Sequence, residues 1–61
     1  MARISKPPEE RRQELIQTAR ELFISQGYEK TMVGDIVRQV GVAQGLFYYY
    51  FSSKQDIFLA V

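Results

Sequence analysis

Between Gly41 and Lys54 the chain reads GVAQGLFYYYFSSK, with five consecutive aromatic side chains, Phe47 to Phe51, at its centre. Three of them are tyrosines, whose hydroxyls can donate to phosphate oxygens while the rings pack on apolar neighbours. The surrounding segment is free of negative charge. Ile36 to Gln55 carries Arg38 and Lys54 and no acid, whereas six of the seven acids (Glu9, Glu10, Glu14, Glu21, Glu29 and Asp35) precede Ile36. A short helix with hydroxyl tips, no acid and Gly45 in its first turn suits a polyanion, because the glycine permits close approach. Two fixed positive charges are a modest attraction, however, and tyrosines that rest their rings on neighbouring helices with hydroxyls in water explain the same run.

Other chemistries lack their side chains. With no cysteine and no histidine in 61 residues, the usual metal ligands, the general base near neutral pH and the thiolate nucleophile are missing. No catalytic residue, metal ligand or cofactor is expected, and the chain reads as a binding module and not an enzyme. A hydrophobic fraction of 46% with 25% charged residues is that of a folded domain, and the length allows one core. No apolar run approaches the roughly 20 residues that span a bilayer, and MARISKPPEERR has no apolar signal-peptide core. No membrane partner is expected, and the cytoplasm is the default location.

The elements that must position the tyrosines follow from periodicity and punctuation. Residues 1–7 read as a flexible arm, in which Ser5 cannot cap a helix because Pro7 and Pro8 have no N–H to offer it. Helix one should start near Pro8, with Glu9 and Glu10 favourably placed against the dipole. Its apolar stripe is Leu15, Ile16, Ala19, Leu22 and Phe23, and it should end at Gly27 in a Schellman cap with Phe23 touching Tyr28. Helix two carries Val33, Ile36, Val37 and Val40 and ends in the same manner at Gly41, with Val42 against Val37. After about three residues a third helix begins near Gln44, and two short helices joined by a tight glycine turn form a helix-turn-helix. Ser53 to Asp56, or Ser52 to Gln55, fits a capping box that starts a fourth helix around Lys54. Ile57, Phe58 and Val61 form its apolar side, and the chain reads as the front piece of a longer protein.

The expected fold is therefore all-α: a three-helix bundle with a helix-turn-helix over residues 8–53, and the start of a fourth, linker helix over 54–61. On helix three Phe47 and Phe51 share one face. The expected core is Leu15, Ile16, Ala19, Leu22, Phe23, Ile36, Val37, Val40, Val42, Phe47 and Phe51. Tyr48 and Tyr50 then stand on its flanks, and Tyr49 and Gly45 lie on the far side.

From Ile16 to Ala60 the chain resembles the N-terminal DNA-binding domain of the TetR family of transcription repressors. The resemblance is carried by A-x-x-L-F (Ala19 to Phe23), G-Y (Gly27, Tyr28), T-x-V-x-D-I (Thr31 to Ile36), G-V (Gly41, Val42), Y-x-Y-F (Tyr48 to Phe51) and S-K (Ser53, Lys54), in that order. It implies that helix three lies in the major groove of operator DNA, with Gln44, Gly45 and Leu46 nearest the bases. Tyr48 and Tyr50 match positions that touch phosphate or a base, with Tyr49 between them. Lys54 matches a phosphate-binding lysine, and Thr31 a position that often touches the backbone. Residue chemistry agrees, since glutamine pairs bidentately with adenine and Leu46 can touch a thymine methyl.

Two departures stand out. Met32 and Ala43 occupy positions where the family usually has a hydroxyl that caps helices two and three, which leaves Thr31 to cap helix two one residue early and helix three uncapped. Arg11, Arg12, Arg20 and Lys30 read as solvated, with Arg12 placed to pair with Glu9. Arg38, Arg3 and Lys6 are further candidates for the DNA backbone. The resemblance further implies a missing domain that forms the homodimer and binds a small-molecule effector, so the 61-residue chain is expected to be a monomer with weak, salt-sensitive DNA binding. The competing reading is a protein-interaction module that docks a partner helix on the Tyr48 to Tyr50 surface.

Overall fold

The computed structural model describes residues 8–61 and arranges them as four helices: α1 (Pro8–Gln26), α2 (Val33–Val40), α3 (Gln44–Tyr50) and α4 (Lys54–Ala60). The expectations for the N-terminal arm, including Arg3, Ser5 and Lys6, lie outside the described residues. The fold is all-α, as the periodicity requires.

In α1 the stripe narrows to Leu15, Ala19 and Phe23, four residues apart and buried, with Ile16 and Leu22 half-buried beside it. Charged and amide side chains cover most of the outer face, with Ile24 77% exposed among them: Arg11 pairs with Glu14 at 2.6 Å, and Gln13 donates to Glu9 at 3.3 Å. Arg12 does not make the expected Glu9 pair its main contact. Its guanidinium lies 5.4 Å from the centre of the Phe51 ring, a cation over an aromatic face that ties α1 to the end of α3.

Glycine ends both of the first two helices, each time at positive φ. Gly27 closes α1 with a single N–H bond to the Phe23 carbonyl at 2.9 Å, a simpler left-handed ending than the expected Schellman cap. The accompanying contact forms as expected, with the Phe23 and Tyr28 rings 5.3 Å apart. At α2 the N–H groups of Gly41 and Val42 both reach the Val37 carbonyl, at 2.8 and 3.0 Å, and the Val42 bond is the long bond of a Schellman turn. That turn and Ala43 are the whole link between α2 and α3.

The start of α2 departs from expectation. Met32 is the N-cap residue, in extended conformation, and its own N–H is satisfied by Asp35 Oδ2 at 2.9 Å. This is the carboxylate half of a capping box, supplied by the third helical residue. Thr31 therefore does not cap α2. At α4 the cap is as read: the Ser53 hydroxyl accepts the Asp56 N–H at 3.1 Å, and Asp56 reaches back to the Ser52 N–H at 2.9 Å.

The core consists of Leu15, Ala19, Phe23, Ile36, Val37, Phe47, Phe51 and Ile57. Ile57 comes from α4, which the sequence reading treated only as a linker, while Ile16, Leu22, Val40 and Val42 move to the half-buried rim. α1 packs on both α2 and α4, and α2 packs on α3. Each fully buried Leu, Ile or Phe contributes about 1.5–3 kcal/mol relative to exposure. Phe47 and Phe51 therefore decide which side of α3 faces in and leave its other side to solvent.

Candidate nucleic-acid interface

With Phe47 fully buried and Phe51 nearly so, the helical rotation of 100° per residue turns Gln44, Gly45, Tyr48 and Tyr49 outward. Tyr49 is 77% exposed and Tyr48 50%. Leu46 is half-buried, and Tyr50 is half-buried and packed against the core. The aromatic run thus divides by face.

The exposed rings are propped by neighbours that lie deeper in the fold. Tyr48 meets Phe47 edge to face at 5.2 Å, and Tyr49 meets Tyr50 in the same way at 4.9 Å. Such pairs contribute about 0.5–1.5 kcal/mol beyond area burial, enough to bias the orientation of rings that would otherwise sample freely. The hydroxyls of Tyr48, Tyr49 and Tyr50 form no hydrogen bond with any of the described residues, so all three can donate to an external acceptor.

No acid lies on α3 itself. The acids that flank the acid-free segment are both engaged with their own backbone: Asp35 accepts from Met32 N–H, and Asp56 from Ser52 N–H and its hydroxyl. Arg38 contacts Asp35 at 3.4 Å but keeps 78% of its side chain exposed, which leaves its guanidinium available to a phosphate. Ala43 is the N-cap residue of α3 and offers no side-chain acceptor to the first turn, as the sequence reading anticipated.

Two residues expected at the interface turn their polar groups to partners within the fold. Thr31 is fully buried, its hydroxyl 2.8 Å from the Gly27 carbonyl and 3.2 Å from that of Leu22, while Gln26 donates to it at 3.3 Å. Its N–H bonds to the Tyr28 carbonyl. The hydroxyl is held inside the connection between α1 and α2, and Thr31 is a buried residue in this fold. Lys54 turns its ammonium to the Tyr28 main-chain carbonyl, 2.8 Å away, and over the Tyr28 ring.

Met32 and Asp35 are the features missed at this end of the molecule. Met32 stands 58% exposed beside the start of α2. The signal that could have revealed the cap was the acid three residues after Met32, which marks the N-cap even when the cap residue itself has no oxygen.

Residues 15–61 match the family profile described as bacterial regulatory proteins, tetR family. Among curated proteins, the chain is 47% identical over 49 residues to the HTH-type transcriptional regulator HbdR of Aromatoleum sp. (strain CIB), covering 80% of this chain and 21% of that protein. It is 38% identical over 55 residues to the HTH-type transcriptional activator FasR of Mycolicibacterium smegmatis, covering 90% of this chain and 25% of that one. Identity to the HTH-type transcriptional repressor AcnR of Corynebacterium diphtheriae is 39% over 51 residues, 84% of this chain and 27% of the relative. The chain thus spans about a quarter of the length of these relatives.

Proposed function

The chain belongs to the tetR family of bacterial regulatory proteins, and from that premise we propose that it seats α3 in the major groove of an operator, with Gln44, Gly45 and Leu46 toward the bases and Tyr48 and Tyr49 toward phosphates. It is the N-terminal DNA-binding domain of a transcriptional regulator. One observation carries the proposed docking: α3 presents an acid-free face with a glycine in its first turn, and the tyrosine hydroxyls on it have no hydrogen-bond partner among the described residues. Arg38 on α2 supplies the nearest exposed cation, in keeping with the first helix of such a pair crossing the backbone. Gln44 selects adenine, and Leu46 a neighbouring thymine methyl.

The whole protein is proposed to be a homodimeric repressor of the bacterial cytoplasm that leaves DNA when a small-molecule effector binds beyond residue 61. Support comes from relatives about three to four times as long, one of them named a repressor, and from Phe58 and Leu59 of α4 and the following Val61, which are 46%, 75% and 46% exposed. Dimerisation places two copies of α3 one helical turn apart on DNA. The 61-residue chain binds as a monomer and correspondingly weakly.

Fluorescence anisotropy of a labelled mixed-sequence duplex, titrated with the chain at rising salt, tests the reading. Each neutralised phosphate adds about 0.9 to the negative slope of log affinity against log salt. A measurable affinity that falls with salt is the expected result. Affinity indifferent to salt, or no binding even at low salt, would refute it and favour a protein partner on the tyrosine surface.

A further inference from the structure

The residues of α3 differ in what the fold leaves them free to do. Phe47 is fully buried, and Tyr50 packs against the core. Gly45 has no side chain. Tyr48 and Tyr49 end in hydroxyls, and a single hydroxyl donates as well to N7 of guanine as to N7 of adenine, or to O6 of guanine as to O4 of thymine. They can hold DNA without telling its base pairs apart. Gln44 and Leu46 remain.

Gln44 is exposed at the first position of α3, and its amide forms no hydrogen bond with any of the described residues. An amide offers one donor group and one acceptor oxygen. Adenine presents the matching pair, the N6 amine and N7, whereas guanine presents two acceptors, O6 and N7, so that the amide oxygen would face a lone pair. Leu46 is half-buried yet does not pack on the core, whose half-buried rim takes only Tyr50 from α3. Its apolar surface is left for the groove, where the thymine 5-methyl is the apolar group that the base edges offer. The usual reader of guanine, an arginine or lysine bidentate to O6 and N7, does not occur on α3. The two cations of the acid-free segment stand instead on α2, as Arg38, and at the start of α4, as Lys54.

Resting on the DNA-binding reading, we propose that the base pairs under α3 are A·T pairs recognised in part through a methyl group. Leu46 separates thymine from the same base without its 5-methyl, Gln44 separates adenine from guanine, and no contact of α3 selects guanine. A G·C pair at either position removes one of the two contacts and offers nothing in exchange.

Three alternating duplexes test this without an operator in hand, because each presents its step in every register: adenine–thymine, adenine–uracil and guanine–cytosine. Fluorescence anisotropy with the unmodified chain at low salt should rank them in that order. Loss of one buried methyl contact lowers affinity about fourfold from the thymine to the uracil duplex, and the mismatch at Gln44 lowers it about fivefold or more again for the guanine–cytosine duplex. Leu46→Ala should bind the thymine duplex as weakly as the uracil duplex, with the salt slope unchanged because no phosphate contact is touched. Gln44→Ala should bring the uracil and guanine–cytosine duplexes together. Equal affinity of the unmodified chain for the thymine and uracil duplexes overturns the proposal, as does a thymine preference that survives Leu46→Ala. A preference for the guanine–cytosine duplex that Arg38→Gln abolishes also overturns it and makes Arg38 the base reader. Equal, salt-sensitive binding of all three duplexes removes this inference and leaves the DNA-binding reading in place, whereas no binding of any duplex at low salt ends both.

Discussion

Replacing Thr31 with valine keeps the side-chain volume and removes one hydroxyl from a site with no solvent access. In the native chain that hydroxyl donates to the Gly27 carbonyl at 2.8 Å, with the Leu22 carbonyl at 3.2 Å as a second acceptor, and receives the Gln26 amide at 3.3 Å. Valine leaves the carbonyls without this donor. A buried acceptor left unsatisfied costs about 1–3 kcal/mol. The Gln26 side chain is exposed and recovers its bond from water, which puts the expected loss in the lower half of that range, about 1–2 kcal/mol. For a domain of this size each kcal/mol moves the melting temperature by about 4–8 °C, so Thr31→Val should melt about 5–15 °C lower. The assay is a circular-dichroism melt, paired with duplex binding well below the transition. Duplex affinity should be unchanged, because no part of Thr31 faces solvent. An unchanged melting temperature with a clear loss of duplex affinity would refute the reasoning and return Thr31 to the DNA face.

Ala43→Ser places an oxygen at the uncapped start of α3, in extended backbone that suits a cap, and should stabilise the chain by about 1 kcal/mol in urea unfolding; no gain would mean that this turn is not built as described. Glycine to alanine should act with opposite signs at two sites where the added methyl meets nothing within 4 Å. At Gly41, with φ of 87°, it forces a left-handed alanine and costs about 1–2 kcal/mol. At Gly45, inside α3, it stabilises by about 0.5–1 kcal/mol, yet duplex affinity drops because the methyl stands where the backbone approaches the groove. Equal effects at the two glycines in thermal melts, or undiminished duplex binding by Gly45→Ala, would contradict the assignment.

The helices were legible because their signals are local. Apolar spacing, Pro8 at one end and the two left-handed glycines at the other bound α1 and α2, and the serine before Lys54 started α4. Burial was less legible, because a stripe gives the direction of a face and not how far the neighbours cover it. Ile16 and Leu22 lie beside the buried line of α1 and stay half-exposed, while Ile57 enters the core only because α4 folds back on α1, which no periodicity within α4 reveals. The interface divides the same way. Gln44, Gly45, Tyr48 and Tyr49 follow from helical rotation once Phe47 and Phe51 are taken as buried. Thr31 and Lys54 do not, because each is decided by a partner distant in sequence or in another element: the Gly27 and Leu22 carbonyls for one, the Tyr28 carbonyl and ring for the other. The capping role of Asp35 was overlooked for a different reason. The missing hydroxyl at Met32 drew attention to the cap residue, and the carboxylate three positions on supplied the bond instead.

The most direct test of the central claim is an NMR titration of isotopically labelled chain with a mixed-sequence duplex, first at low and then at moderate salt. The account predicts shifts concentrated at Gln44, Gly45, Leu46, Tyr48 and Tyr49 with Arg38 beside them, fading as salt rises, while Thr31 stays unmoved. Shifts confined to the exposed side of α4, or none on α3 at low salt, would contradict it.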